Sequence, residues 1–304
     1  MTINIISKKD VPHTQYYDSA YMAETLDSAF DIEHDGFDDG TLYWDMLQEL
    51  LRVNRSQLPH SYRTIVLDVG AGSGRIFRKI AQKATKSGDD LSDATFIGLD
   101  KSSAMLERAK KRAFELSGVG TVSWLVGDAK NLLAQPTLRE ARRQVSLVLC
   151  ADGGIGYLDL AKDIDAFFLH VAQLLRPGSG RAHISLLEFQ VAEAYDNGTT
   201  PSIYDESMES MDEASKDTAL TFKVVVHREY VEDGHHLAQL DTEIIETDKQ
   251  GKETLLEVCH YSHRFRIWRT EELIQVAKKA GLQHVETIKW PRMQHFVFMV
   301  PELN

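Results

Sequence analysis

Thr64-Ile65-Val66-Leu67-Asp68-Val69-Gly70-Ala71-Gly72-Ser73-Gly74-Arg75 decides the fold. Its first half is an apolar run that reads as a strand, and a helical pattern begins at Arg75. A chain that turns sharply from strand to helix needs residues without a Cβ, so that the backbone takes unusual dihedrals and a ligand can approach it. Gly70, Gly72 and Gly74 supply Gly-x-Gly-x-Gly at that turn. A dinucleotide fold prefers Gly-x-Gly-x-x-Gly, whose third glycine lets the helix pack close above a pyrophosphate. That place is Arg75 here, which weakens the pyrophosphate reading. A tight turn without a ligand is the plain alternative, and three glycines in this context favour a nucleotide loop.

Outward from the loop, short apolar runs alternate with helical ones. Ile76, Phe77, Ile80 and Ala81 share one face of a helix over 75–82. Strands are predicted over 95–99, 122–126, 145–150 and 181–189, with helices over 103–116 and 163–175. The second helix stops at Arg176-Pro177-Gly178-Ser179-Gly180. This alternation implies a parallel sheet covered on both faces. Upstream, an aromatic-rich helix is predicted over 14–30, with Tyr16, Tyr17 and Tyr21, and another over 42–53, joined by an acidic link over 31–40. Downstream, 190–217 is polar and reads as a mobile connection. Three strand-like runs over 219–268 then form an antiparallel meander, with Phe222, Val224, Val226, Arg228 and Tyr230 on one face of the first. A helix from Thr270 to Gly281 and strands over 284–290 and 295–300 close the chain. The expected organisation is α/β: an N-terminal helical cap (1–62), a nucleotide-binding core (63–189), an antiparallel β insertion or lid (190–268), and a helix and strands that complete the core (269–304).

Composition narrows the partners. Acidic residues outnumber basic ones 46 to 34 over 304 residues, for a net charge of −12. That sign repels phosphate backbones, so nucleic acid is not expected as a partner. The two cysteines, Cys150 and Cys259, lie in strand-like runs without metal-type spacing, which argues against a disulfide scaffold or zinc site and fits a reducing compartment. The first ten residues do not read as a signal peptide, and no apolar run approaches the roughly 20 residues that cross a bilayer. A cytoplasmic protein without a membrane partner is expected, and the lid strands offer an edge for a homodimer.

Two further positions turn the glycine loop into an ordered site. Asp100, closing the second strand, can accept both hydroxyls of a ribose. Gly127-Asp128-Ala129 ends the next strand, where a carboxylate can accept the exocyclic amine of adenine and the next backbone N–H can serve a ring nitrogen. In order and spacing, Asp68–Gly74, Asp100, Gly127-Asp128 and residues 145–158 resemble the nucleotide-site motifs of class I S-adenosylmethionine-dependent methyltransferases. The resemblance spans 63–189 and the final helix and strands. It implies a Rossmann-like seven-strand methyltransferase core that binds S-adenosylmethionine and releases S-adenosylhomocysteine. It further implies that Gly70, Ala71, Gly72 and Gly74 pass beside the methionine part, that Asp68 holds the amino group, and that Asp100, with Lys101 following, takes the ribose. Gly127, Asp128 and Ala129 would take the adenine with Met105 against its ring, and Ala151 would also contact the cofactor.

The loop Cys150-Ala151-Asp152-Gly153-Gly154-Ile155-Gly156-Tyr157-Leu158 is expected where cofactor and acceptor meet, beyond the strand ends. It lacks the Asn/Asp-Pro-Pro-aromatic signature, the nucleophilic cysteine and the paired Asp and Asn of a magnesium-dependent site, so no metal is expected. It looks more like the loop of glycine and amino-sugar N-methyltransferases, which implies a small-molecule acceptor and most simply an amine. O-methylation, a catalytically silent cofactor-binding protein and a nucleotide-dependent oxidoreductase are the alternatives. A neutral amine needs little beyond alignment, whereas a hydroxyl needs a general base. Asp152, Tyr21, His260 and His263 are the candidate catalytic residues, with Tyr17, Tyr21, Tyr157 and Arg264 as the candidate acceptor pocket.

Overall fold

The computed structural model describes residues 11–24, 39–57, 63–196, 210–214, 219–290 and 292–302. Twelve strands are found among them: β1 (His13–Gln15), β2 (Thr64–Val69), β3 (Leu91–Asp100), β4 (Val119–Val126), β5 (Leu147–Cys150), β6 (Arg181–Leu187), β7 (Ser210–Ala214), β8 (Ala219–Glu232), β9 (His235–Thr247), β10 (Glu253–Arg266), β11 (Gln283–Trp290) and β12 (Met293–Met299). They form a seven-stranded sheet in the order β11-β12-β6-β5-β2-β3-β4 and a five-stranded sheet in the order β1-β10-β9-β8-β7.

In the larger sheet β2 to β6 run parallel, β12 is antiparallel to both of its neighbours, β6 and β11, and β11 therefore runs in the common direction. The central strands are buried on both faces, as an α/β sheet requires. Val66, Leu147 and Leu149 face the helices Asp39–Gln57 and Arg75–Ser87 through Tyr43, Leu47, Phe77 and Ile80. Leu67, Val69 and Val148 face the other way, onto Phe167 and Phe168 of the helix Ala161–Leu174 and Leu273 of the helix Thr270–Lys279. Strand order reverses at β2, which lies between β5 and β3, so a crevice opens beyond the carboxyl ends of these strands. The Gly70 and Ala71 N–H groups both donate to the Leu99 carbonyl, at 2.8 and 3.0 Å, and tie the glycine turn to β3.

Four strands of the smaller sheet, β7 to β10, are inserted between β6 and the helix Thr270–Lys279, and β1 joins them from the N-terminal segment. The β8–β9 turn is Asp233-Gly234, with both residues at positive φ. Residues 14–30 do not form the single helix that their pattern suggests. His13–Gln15 pairs in parallel with β10, Tyr16–Asp18 makes a 3-10 turn, and helix is present only over 20–24, with 25–30 outside the described residues. Pairing to an open strand edge outweighs a local helical preference here. The face expected for β8 is also corrected. The register shifts between Val226 and Arg228, so Val226 and Glu229 pair with Leu240 and Ala238 while Arg228 pairs with Gln239. A bulge inverts the alternation beyond it, and Arg228 and Tyr230 leave the face that holds Phe222.

The expected connection over 190–217 is partly built structure. Glu188–Gln190 and Ala192–Tyr195 are 3-10 turns, Gln190 is fully buried, and Val191 bridges to Trp268. Residues 197–209 and 215–218, like the link over 31–38, lie outside the described residues. Among the described residues no helix is long and apolar enough to cross a membrane.

Candidate active site

The carboxyl edge of the large sheet is organised around Asp100. Its Oδ2 accepts the Gly72 N–H and its Oδ1 the Ser102 N–H, each at 2.8 Å. Burial raises its pKa, and the N–H groups of Ser102, Gly72 and Lys101 oppose the shift. The Lys101 side chain itself is exposed. Gly70, Gly72 and Gly74 are all left-handed, at φ +83°, +54° and +80°, but they leave different spaces. A Cβ on Gly70 would meet nothing within 4 Å, whereas one on Gly72 would lie 3.2 Å from the Met105 methyl. One on Gly74 would lie 2.5 Å from the Trp124 indole. Gly74 therefore makes room for an indole, and the open side of the turn is at Gly70.

Asp68 lies behind this turn. It is fully buried, and neither carboxyl oxygen has a hydrogen-bond partner among the described residues. Burial, reinforced by Asp152 and opposed by Arg75, pushes its pKa up to about 8. A buried carboxyl without a partner is costly and is satisfied by a ligand that brings a donor or a positive charge. At the end of β4 the Gly127 N–H donates to the Asp100 carbonyl at 2.9 Å. Asp128 caps the 3-10 turn Ala129–Ala134 through the Lys130 N–H.

The loop after β5 continues the edge. Ala151 is half-buried, and Asp152 sits at φ +49°, a left-handed conformation unusual for a residue with a side chain. Its Oδ2 accepts Arg75 Nη2 at 2.7 Å, and Arg75 also makes a two-pronged pair with Asp39, both bonds at 2.8 Å. The residue that stands where a dinucleotide fold needs glycine is thus a buried cation between two carboxylates. Two carboxylates beside it keep the guanidinium charged despite its burial.

Gln190 holds this loop in place, and nothing in the sequence pattern points to it. Its Oε1 accepts the Leu187 N–H and its Nε2 donates to the Gly153 carbonyl, each at 2.9 Å. A Cβ on Gly153 or Gly156 would come within 2.3 or 2.1 Å of that amide. The Gly153-x-x-Gly156 spacing records the fit only once the partner is known.

Three tyrosines from three segments meet across the crevice. Tyr157 Oη lies 2.6 Å from Tyr17 Oη and 3.0 Å from Tyr261 Oη, joining the β5 loop to the N-terminal 3-10 turn and to β10. Tyr17 is further held through its carbonyl, which accepts from Ser102 Oγ. Burial raises the pKa of Tyr17, with Asp100 and Asp152 adding to the shift, and raises that of Tyr157, so both remain neutral phenols.

The other acceptor-side residues are separated by the pleat of β10. Tyr261 and His263 pair with Leu240 and Ala238 on the inward face, while His260 and Arg264 pair with Asp241 and Leu237. His263 is buried and stacks on Phe265, whose ring meets Tyr157. His260 instead bonds Asp241 at 2.7 Å and His13 at 2.8 Å, and Arg264 pairs with Asp159 at 3.0 Å. Tyr21 packs on the apolar cluster of Met22, Phe222, Ile244 and Cys259, and no helix face is shared with Tyr17.

A family model described as a methyltransferase domain matches residues 66–178, the stretch that holds the glycine turn, Asp100, Asp128 and Asp152. The N-methyltransferase FrzE of Cladobotryum sp. is 28% identical over 285 residues, which cover 90% of this chain and 92% of FrzE. A S-adenosylmethionine-dependent methyltransferase of Clostridium acetobutylicum matches with a TM-score of 0.61 at 13% identity, over 93% of this chain and 100% of its own. CalS10, an amino pentose methyltransferase of Micromonospora echinaspora, matches with a TM-score of 0.54 at 15% identity, over 92% of this chain and 96% of its own. Together these likenesses support a class I S-adenosylmethionine-dependent methyltransferase.

The methyltransferase's own residues fit that cofactor. Asp68 supplies an unpartnered buried carboxyl for a cationic amino group. The open side of the turn at Gly70 exposes backbone to a ligand, and Asp100 is held rigidly by backbone N–H groups with lone pairs remaining.

Proposed function

We propose that this methyltransferase methylates an amine nitrogen of a small molecule, held between the Tyr17–Tyr157–Tyr261 cluster and the carboxyl edge of the large sheet. The observation that carries this reading is the phenol cluster, with Tyr17 and Tyr157 held neutral, beside which each candidate base is paired, turned away or weakened. A hydroxyl acceptor needs a base. Asp152 is ion-paired to Arg75, His260 lies on the outward face of the lid, and burial lowers the pKa of His263 to about 3. An amine held unprotonated needs alignment instead, and alignment contributes up to about 7–11 kcal/mol to a two-substrate reaction.

S-adenosylmethionine supplies a methyl group already activated on a sulfonium. In this reading Asp68, Gly70, Ala71 and Asp100 hold it, with Met105, Gly127, Asp128 and Ala129 around the base. Tyr17 and Tyr157 orient the acceptor, and the five-stranded sheet covers the crevice and excludes water. The net charge of −12 favours a cationic or neutral acceptor over a polyanion. The name of the FrzE relative, an N-methyltransferase, supports nitrogen as the acceptor atom.

The test is incubation with methyl-labelled S-adenosylmethionine and a fractionated cytoplasmic metabolite extract, followed by mass spectrometry. Label on the nitrogen of a small amine is expected. Label on oxygen, on protein only, or on nothing would overturn the reading. S-adenosylhomocysteine should raise the melting temperature, and NAD should not.

A further inference from the structure

We infer that His263 presents a fixed hydrogen-bond acceptor to the methyl acceptor, and that Glu229 and His236 are the positioning residues that fix it. The inference rests on the small-molecule reading above and narrows it to acceptors that bring an N–H or O–H donor to this point.

The bulge between Val226 and Arg228 places Glu229 opposite Ala238, on the inward face of the lid. There Glu229 Oε1 lies 3.2 Å from Nε2 of His236, whose side chain is fully buried; the contact is within ion-pair distance but is not aligned as a hydrogen bond. His236 Nδ1 lies 3.0 Å from His263 Nε2. A carboxylate at that distance repels a nitrogen lone pair and attracts an N–H, which favours the proton of His236 on Nε2 and leaves its Nδ1 a lone pair. That lone pair requires the proton of His263 on Nε2, which leaves His263 Nδ1 bare. This nitrogen is buried and has no hydrogen-bond partner among the described residues, in a residue only 7% exposed.

The ring has little freedom to turn away. It stacks on Phe265 at 4.1 Å and 9° and on His236 at 5.3 Å and 18°, with the edge of Tyr261 at 5.3 Å. Phe265 and Tyr261 are the two residues of β10 that touch Tyr157, so His263 sits in the same aromatic wall as the phenol cluster. A lone pair left unsatisfied in such a wall costs stability unless a ligand donates to it. Burial also holds His263 neutral, which suits it to accept a hydrogen bond and not to remove a proton.

The experiment uses the full chain and the extract fraction that takes up label. His263→Phe keeps the stack and removes both nitrogens. It is expected to raise the half-saturating amount of that fraction about tenfold, with maximal rate and S-adenosylhomocysteine affinity within about twofold. His263→Asn, whose amide oxygen stands near the place of Nδ1, should recover all but about threefold of this. The same split should separate His236→Phe from His236→Asn, since only the latter keeps an acceptor for His263. In nitrogen-labelled protein saturated with S-adenosylhomocysteine, NMR should report His263 neutral with its proton on Nε2.

A proton on Nδ1, an unchanged half-saturating amount in His263→Phe, or an Asn variant no better than Phe would each overturn the inference. If no fraction takes up label, the small-molecule reading has failed and this inference falls with it. If label is taken up and His263→Phe is silent, only this inference falls.

Discussion

The carboxyl edge of the large sheet and the inward face of the small one bound the same crevice, but they secure their polar groups by different rules. At the two acids of the carboxyl edge that follow β3 and β4, the side chain bonds backbone close to it in sequence or in the adjoining turn. Asp100 takes the N–H groups of Gly72 and Ser102, and Asp128 caps the turn that it begins. On the lid, side chains meet side chains across strands: Glu229 meets His236, and His236 meets His263, while Tyr261 reaches Tyr157 of the edge. The first rule makes a rigid edge whose donors and acceptors aim at a ligand of constant shape. The second makes a surface whose chemistry changes with one residue or one register step, as a site that selects among acceptors needs.

The largest effect that separates the two rules is expected at Asp100. Asp100→Ala removes charge-assisted bonds to two backbone groups of the edge and a ribose acceptor. Affinity for S-adenosylhomocysteine should fall about a hundredfold or more by calorimetry. Loss of binding from a lid substitution such as Tyr261→Phe, with Asp100→Ala silent, would reverse the assignment of cofactor to the edge and acceptor to the lid.

The second effect concerns Asp68, the one carboxyl of the edge without a partner among the described residues. Its pKa is about 8 in the folded protein against an ordinary 3.8, so between these values the folded state holds the extra proton. Its contribution to the stability of the cofactor-free protein is therefore full below pH 3.8 and is lost as pH rises through 8. A cationic amino group beside it favours the ionised form. S-adenosylhomocysteine affinity should thus increase with pH, by up to about tenfold per unit, until about pH 8. Asp68→Asn should flatten both curves, and a flat wild-type affinity curve would show that the carboxyl is not where the amino group binds.

Gln190→Leu comes third. It leaves the Gly153 carbonyl and the Leu187 N–H without their partner in a buried place, at a cost of about 2 kcal/mol in denaturant unfolding. Cofactor affinity should change little, and methyl transfer should drop because Asp152 and Tyr157 lose the loop that places them.

The same contrast explains how much could be read in advance. The glycine turn, Asp100 and Gly127-Asp128 each fall at the end of an apolar run, so the edge was legible as an ordered series along the chain. Gly74 was legible as glycine and not as the bed of Trp124, because the indole arrives from β4. Gln190 was invisible, since a lone polar residue in a polar stretch carries no signal until two glycines close on it. On the lid the strands were legible and their faces were not. One bulge turned Glu229 inward, and strand pairing drew residues 13–15 out of a helical pattern.

The smallest effect tests the pleat directly, with two histidines three residues apart on one strand. Odd positions of β10 from Cys259 to Phe265 pair with even, inward positions of β9, so His263 faces the crevice and His260 does not. His260 spends its nitrogens on Asp241 and His13, and its ring is partly exposed. Exposed pairs of this kind contribute about 0–1 kcal/mol, and the Arg264–Asp159 pair on the same face falls in that class. His260→Ala and Arg264→Ala are therefore expected to lower stability by no more than about 1 kcal/mol and to leave the transfer rate within about twofold. A tenfold fall in His260→Ala with His263→Phe unchanged would mean that the acceptor approaches from the outward face, and it would move the acceptor site to the edge where β1 joins the sheet.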